Sequence, residues 1–249
     1  MDEAFESLRT NLTGRLRGTR AYYIANPGNW GDALIRQGTL RFFRDSGLDV
    51  PEAPTVQQLM AQPPGGVVVF GGGGAWCRLW NHAELAVTMI KQRFEVIVLP
   101  STYEMAYAIP KTTFFCRDRY ESQANVPAAT FCHDMAFYLK GSVHAATAGQ
   151  GSGSFFRTDA ESSRRRPIPP DNNDISLRGD HLAEIGGFVQ ALEPFASIHT
   201  DRLHVAILGC LLDKDVHLYP GSYFKSRAVY LSSMKDHFAN ITFHENDES

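Results

Sequence analysis

Two stretches, GVVVF at 66–70 and EVIVLP at 95–100, are unbroken apolar runs of strand-forming residues. A strand with one wet face alternates apolar and polar side chains, so an unbroken run needs cover on both faces. Amphipathic segments supply that cover. AYYIA (21–25) reads as a strand and DALIRQGTLRFFRDSG (32–47) as a helix with a glycine stop, and a further helical stretch runs from about Leu79 to Arg93. TYEMAYAI reads as a short helix, TTFFC (112–116) as a strand, and ATFCHDMAF (129–137) as another strand ending near Asp134. Strand–helix alternation of this kind predicts an α/β fold with mainly parallel sheets.

The pattern breaks at KGSVHAATAGQGSGS, which is rich in Gly, Ser and Ala and has no usable period. The expected organisation is a first unit over 1–140, a linker over 141–153 and a second, smaller α/β unit over 154–249. In the second unit HLAEIGGFVQAL is expected to be helical, ASIHT a strand, DRLHVAILGCLL a helix, VHLYP a strand and YFKSRAVYLSSM a final helix. The acidic tail HENDES is expected to fray. Two facing units with a cleft between them are the most economical arrangement of these pieces.

Composition narrows the function classes. The 249 residues carry a formal net charge of −3, with 43% hydrophobic and 20% charged residues. That balance gives no reason to expect nucleic acid or a polybasic membrane anchor, so any anion site must be local. The four cysteines (77, 116, 132, 210) are scattered without a Cys-x-x-Cys pair, which points to neither a disulfide framework nor a zinc site. No metal or cofactor is expected. MDEAFESLRTNL lacks the marks of a secretory signal, and no apolar run approaches the roughly 20 residues of a membrane span. A cytoplasmic setting is the expectation, with the inner face of the membrane compatible with it.

Chemistry-bearing residues cluster in a few places. IANPGNWGDALI puts Asn26, Asn29, Gly31 and Asp32 between the first strand and the first helix, where parallel sheets bind ligands. Asp32 is also a natural helix cap. Four glycines follow the VVVF strand, and Gly72 and Gly73 allow close approach to the backbone, though neither a dinucleotide fingerprint nor a Walker lysine is present. In FFCRDRYES and FCHDMAF, Asp118 and Ser122 fit capping, and Asp134 is either a base or the partner of Arg117.

The second half is denser. TDRLH puts Arg202 and His204 in the first turn of a helix, against its dipole unless an anion sits there. Arg157 in FFRTDAE and Lys225 in GSYFKS fall where the carboxyl ends of parallel strands share one edge. Two guanidinium forks and an ammonium suit a ligand carrying both phosphate and carboxylate, and a nearby histidine can move a proton near neutral pH. The alternative is that these cations pair with Asp159, Glu161, Asp201 or Asp213.

Taken in order, NPGNWGDALI, FGGGGAW, FFCRDRYES with HDMAF, FFRTDAES, and TDRLHVAILGCLLDKDVHLY followed by YFKS resemble the polysaccharide pyruvyl transferase family, from about residue 20 to 235. The resemblance implies two Rossmann-like domains facing a cleft, similar to the GT-B glycosyltransferases. It also implies transfer of pyruvate from phosphoenolpyruvate to a glycan or lipid-linked sugar as a ketal, with phosphate released. Arg157, Arg202, Leu203, His204 and Lys225 would then line the donor site, with His204 as acid/base and Arg202 beside it in catalysis. Asn26, Asn29, Gly31, Asp32, Gly72, Gly73 and Asp134 would serve the acceptor. Peripheral membrane association goes with a lipid-linked acceptor. The rival readings are a glycosyltransferase using a nucleotide sugar and a sugar-binding or scaffold relative without activity.

Overall fold

The computed structural model describes residues 1–245. In chain order its elements are α1 (Asp2–Leu16), β1 (Ala21–Ile24), α2 (Trp30–Asp45), α3 (Val56–Met60), β2 (Val67–Phe70), β3 (Gly73–Trp76), α4 (His82–Ile90), β4 (Glu95–Tyr103), β5 (Thr112–Cys116), α5 (Glu121–Asn125) and β6 (Thr130–Phe131). After a 3₁₀ turn at Met135–Leu139 come β7 (Ser152–Ser154), a second 3₁₀ turn at Ile175–Arg178, α6 (Gly186–Leu192), β8 (Ser197–Thr200), α7 (Leu203–Leu211), β9 (Asp215–Leu218), α8 (Lys225–Val229), a π-helical turn at Tyr230–Met234 and β10 (Ile241–Phe243).

The two apolar runs behave as their composition demands. All four residues of β2 and eight of the nine in β4 are buried. They pair in parallel within the order β1-β2-β4-β5-β6, with β3 also against β4. Val68, Phe70, Val96 and Val98 pack with Ala83, Val87 and Ile90 of α4, and each such large side chain contributes about 1.5–3 kcal/mol by leaving water. Helix α2 ends as its sequence foretells. Gly47 takes φ 64°, the Leu48 N–H donates to the Phe43 carbonyl and the Gly47 N–H to Arg44, satisfying carbonyls the helix leaves free.

A second, wholly parallel sheet has the order β10-β9-β8-β7. Helix α7 is buried along almost its whole length, and Gly209 leaves room for Val216 against it. The mixed α/β character and the mainly parallel sheets are as expected.

The chain divides into two compact units, one made of residues 1–26 and 38–138, the other of 27–37 and the chain from Leu139 on. The change near 139 lies where the glycine-rich segment begins, but residues 27–37 group with the later unit, which a single cut at 140 does not anticipate. The linker expectation also needs trimming. Ser152 already belongs to β7, and the segment before it is tied down by Lys214, whose buried Nζ donates to the carbonyls of Thr147, Ala148 and Glu193 at 2.9–3.0 Å.

Three local readings are corrected. TYEMAYAI is not a helix: β4 runs through Tyr103, and the Glu104 N–H then bonds to the Trp76 carbonyl. ATFCHDMAF is strand only at Thr130–Phe131, because the Asp134 carboxylate accepts the Ala136 N–H and starts a 3₁₀ turn. Residues 181–185 lie outside α6, which begins at Gly186. The tail expectation is overturned at its start, since His244 bonds to Leu218 directly after β10; its last four residues lie outside the described ones. No helix among the described residues is long and apolar enough to cross a membrane.

Candidate functional site

The densest polar cluster belongs to the second unit and follows the carboxyl ends of β7 and β8. The Thr200 hydroxyl donates to the Phe155 carbonyl at 2.7 Å and accepts the Arg202 N–H at 2.9 Å. Asp201 accepts the Arg157 N–H at 2.8 Å. These bonds hold the two post-strand loops side by side, so Arg157 and Arg202 share one neighbourhood although 45 positions separate them along the chain.

Carboxylates join the cations. Arg157 makes a two-pronged contact to Asp159 (Nε to Oδ1 2.8 Å, Nη2 to Oδ2 3.0 Å) and reaches Glu161 through Nη1 at 2.6 Å. Arg202 donates to Asp159 at 2.9 Å and grips Asp174 through Nε and Nη2. Lys225 donates to Glu161. Asp159 therefore bridges the two arginines, and Glu161 links Arg157 to Lys225. Three cations meet three carboxylates, with Asp201 as a fourth acid alongside. Arg157, Arg202 and Lys225 come together as the sequence suggests, and they pair with Asp159 and Glu161, as the alternative offered, and with Asp174, which it did not name.

The electrostatics follow from burial and neighbours. Burial alone would raise the Asp159 pKa, but hydrogen bonding and charge from Arg157, with Arg202 behind it, bring it down to about 2. Burial would lower Arg157, and Asp159 and Glu161 override it so that its pKa is raised. Asp201 goes the other way: burial lifts it to about 6, although it accepts the Arg157 N–H and lies near both guanidiniums.

His204 stands in the first turn of α7, half-buried, against Gly31; a Cβ at Gly31 would lie 2.6 Å from its Nδ1. Gly31 is thus required for the fit of a histidine. Leu203 is core, 3% exposed, so its side chain is not placed to touch a ligand. Asn29 and Asp32 organise their own loop: the Asp32 carboxylate accepts the Asn29 N–H at 2.9 Å and the Asn29 side chain accepts the Gly31 N–H at 2.8 Å. Trp30 stacks on Phe188 at 5.3 Å with planes 2° apart, in a space kept open by Gly179 and Gly187.

The remaining acceptor candidates belong to the first unit. Asn26 is 4% exposed and its Oδ1 has no hydrogen-bond partner. Gly72 is buried, and an added Cβ would collide with the Pro100 carbonyl; at neighbouring Gly71 it would meet the Asn26 nitrogen at 2.6 Å. Gly73 is buried at φ 137° and pairs with Ser101. The backbone that approaches this glycine run is the protein's own, which corrects the reading of Gly72 and Gly73 as ligand-facing. Asp134 holds Arg117 at 2.5 Å, both at most 1% exposed, and Arg117 also donates to Thr102 at 2.8 Å. Asp118 caps α5 by accepting the Tyr120 and Ser122 N–H groups.

Sequence reasoning missed Asp174 and the stacking partner of Trp30. Asp174 lies in PDNND, between the arginines at 164–166 and Arg178, so the sequence offers it cations nearer than Arg202. Nothing in the sequence points to Phe188 as the neighbour of Trp30. Among the described residues no group of three or more His, Cys, Asp or Glu side chains could hold a metal ion.

No protein-family model matches the chain, and no curated protein matches it. Among solved structures it is similar to a functionally uncharacterized protein from Klebsiella pneumoniae, with 27% sequence identity and a TM-score of 0.80 over 99% of this chain and 100% of that one. The likeness extends the α/β architecture, over essentially its full length, to a second protein.

Proposed function

We propose that the chain is a ketal pyruvyltransferase of the polysaccharide pyruvyl transferase type, with phosphoenolpyruvate bound in the second unit. The observation that carries this reading is the meeting of Arg157, Arg202 and Lys225 in one connected network beside His204's helix. Guanidinium forks that already hold carboxylates have the geometry a carboxylate- and phosphate-bearing donor needs. In this reading Asp159, Glu161 and Asp174 hold the cations at positions the donor's anionic groups would take.

The chemistry then runs in two steps. A sugar hydroxyl forms a bond to C2 as C3 takes a proton, and a second hydroxyl attacks C2 as the C2–O bond to phosphate breaks. His204 is proposed to hand over and take up the protons, and the cations to stabilise the departing phosphate. The acceptor is a glycan or lipid-linked sugar, and a cytoplasmic setting goes with this donor.

One observation favours a second reading, a binding or scaffold relative without activity. Arg157, Arg202 and Lys225 are each matched by an internal carboxylate, so a donor must displace existing ion pairs. Phosphate release from phosphoenolpyruvate, measured over a panel of glycan and lipid-linked acceptors, decides between the two. Release with at least one acceptor, abolished in His204→Ala, supports the transferase. A thermal shift with a nucleoside diphosphate but none with phosphoenolpyruvate would point instead to a glycosyltransferase, and a shift with neither to the scaffold.

A further inference from the structure

Away from the cation network, three histidines meet on the second sheet. His199 of β8 and His217 of β9 are register partners, and their rings stack at 4.4 Å with planes 5° apart. His244, just past β10, brings Nε2 to 2.9 Å from His217 Nδ1, and Asp215 lies 3.1 Å from His217 Nε2. Tyr219 joins from the end of β9. Its hydroxyl is 3.2 Å from His199 Nδ1, and its ring stacks on His244 at 4.4 Å and 12°. The Arg166 guanidinium covers the same ring at 3.8 Å. The register neighbours Ser154 on β7 and Thr242 on β10 add no charge. Among the described residues, the charged and titratable groups facing the histidines are Asp215, Tyr219 and Arg166.

Proton counting limits what this column tolerates. At neutral pH the pattern is satisfied when His217 donates Nε2–H to Asp215 and accepts the His244 Nε2–H on Nδ1. One added proton fits on the His244 Nδ1, leaving both hydrogen bonds intact. A second proton on the pair places one N–H against another, and a proton on His199 sets a cation face to face with His217. Arg166 adds a fixed positive charge at the Tyr219 end.

We propose that His199, His217 and His244 form an acid-triggered latch that releases β10 from the edge of the second sheet. β10 pairs with β9 over three residues, 241–243. Asn240 fastens its start, by accepting the Val216 N–H and donating to the Lys214 carbonyl at 2.8 Å, and the His244 N–H to Leu218 bond fastens its end, so the histidine column is what braces the distal end of this short strand. Burial, then the neighbouring histidines and Arg166, hold His199 and His244 below the usual histidine range. The sign follows. A histidine depressed in the folded state loses stability as pH falls below its unfolded value of about 6.5. Release would travel further, because Phe243 stacks on Tyr230 at 5.1 Å in the π-turn that continues α8, the helix that begins with Lys225. The latch does not depend on the proposed transfer reaction.

Hydrogen exchange of the full chain at about pH 7.5 and about pH 5, corrected for the intrinsic pH dependence of exchange, tests it. Residues 240–245 should lose at least about tenfold protection at the lower pH while β8 keeps its own, and His217→Gln with His244→Gln should abolish the difference. Unchanged protection of 240–245 at pH 5, or equal loss in the double variant, overturns the latch. Should that variant fail to fold, histidine titration of the wild-type chain by NMR serves instead: titration of His199 and His244 displaced below the usual histidine range supports the latch, and titration of both near pH 6.5 overturns it.

Discussion

Each unit buries an arginine against an aspartate, and the two sites are built differently. In the first unit Arg117 and Asp134 are at most 1% exposed, and Thr102 takes a further guanidinium donor. It is a dry, closed contact, and the Asp134 carboxylate in it also accepts the Ala136 N–H. In the second unit Arg157 and Arg202 share Asp159, whose side chain keeps 22% of its surface open, and the chain of charges continues to Glu161, Asp174 and Lys225. A contact sealed from water on both sides has little room to change partners. A network in which two acids are shared, and one of them, Asp159, is partly open to water, can exchange partners, because losing one contact leaves another in place. The first design fixes a fold, and the second can admit a ligand.

The sharpest way to break this comparison is Arg117→Ala. It should cost about 3–5 kcal/mol in urea unfolding, because Asp134 stays buried without its guanidinium partner; a loss below about 1 kcal/mol would mean the pair is not closed. Next in size, Gly72→Ala should cost about 1–3 kcal/mol by forcing the backbone from Pro100, with no change in phosphoenolpyruvate response. A selective loss of ligand response at unchanged stability would return Gly72 to the site.

Arg202→Lys is expected to cost only about 1–2 kcal/mol of stability, since a point charge keeps part of the attraction to Asp174. On the proposed reading it should nevertheless remove the thermal shift expected with phosphoenolpyruvate, and a shift preserved in the variant would show that the fork is not used. The smallest effect separates two acids by pH. Asp201, raised to about 6, makes the folded chain bind a proton that the unfolded chain has released, so its contribution falls as pH rises from about 4 to about 6. Asp159, lowered to about 2, contributes stability that is present above about pH 4 and lost below it. Unfolding midpoints across pH 3–7 should show the upper slope flatten in Asp201→Asn; an unchanged slope assigns it elsewhere.

What was legible in the sequence was whatever a local period or run encodes. VVVF and EVIVLP announced covered strands, and Gly47 announced the end of α2, because each signal is set by its own few residues. TYEMAYAI misled for a physical reason: Tyr103 and Tyr107 have helical spacing, yet both rings pack on Trp76, at 5.6 and 5.0 Å, from a strand end and the turn after it. The glycine run correctly reported a close approach without revealing that the visitor was Pro100. At the candidate site the three cations were legible because they follow strands. Asp174 was not, because its pairing with Arg202 spans 28 positions and leaves no local trace. β10 was hidden because three residues carry too little pattern to stand out from an acidic tail.

The grouping of residues 27–37 with the later unit has a practical consequence for dissecting the chain. A fragment starting at Leu139 would keep the Arg157–Arg202–Lys225 network on paper but would present Phe188 without Trp30 and His204 without Gly31. Such a piece should be sticky and poorly folded, whereas adding a peptide spanning residues 27–37 should restore its cooperative melting. The later unit is therefore compact in space but discontinuous along the chain: a truncation or recombination at the glycine-rich segment would separate two parts of one folding unit.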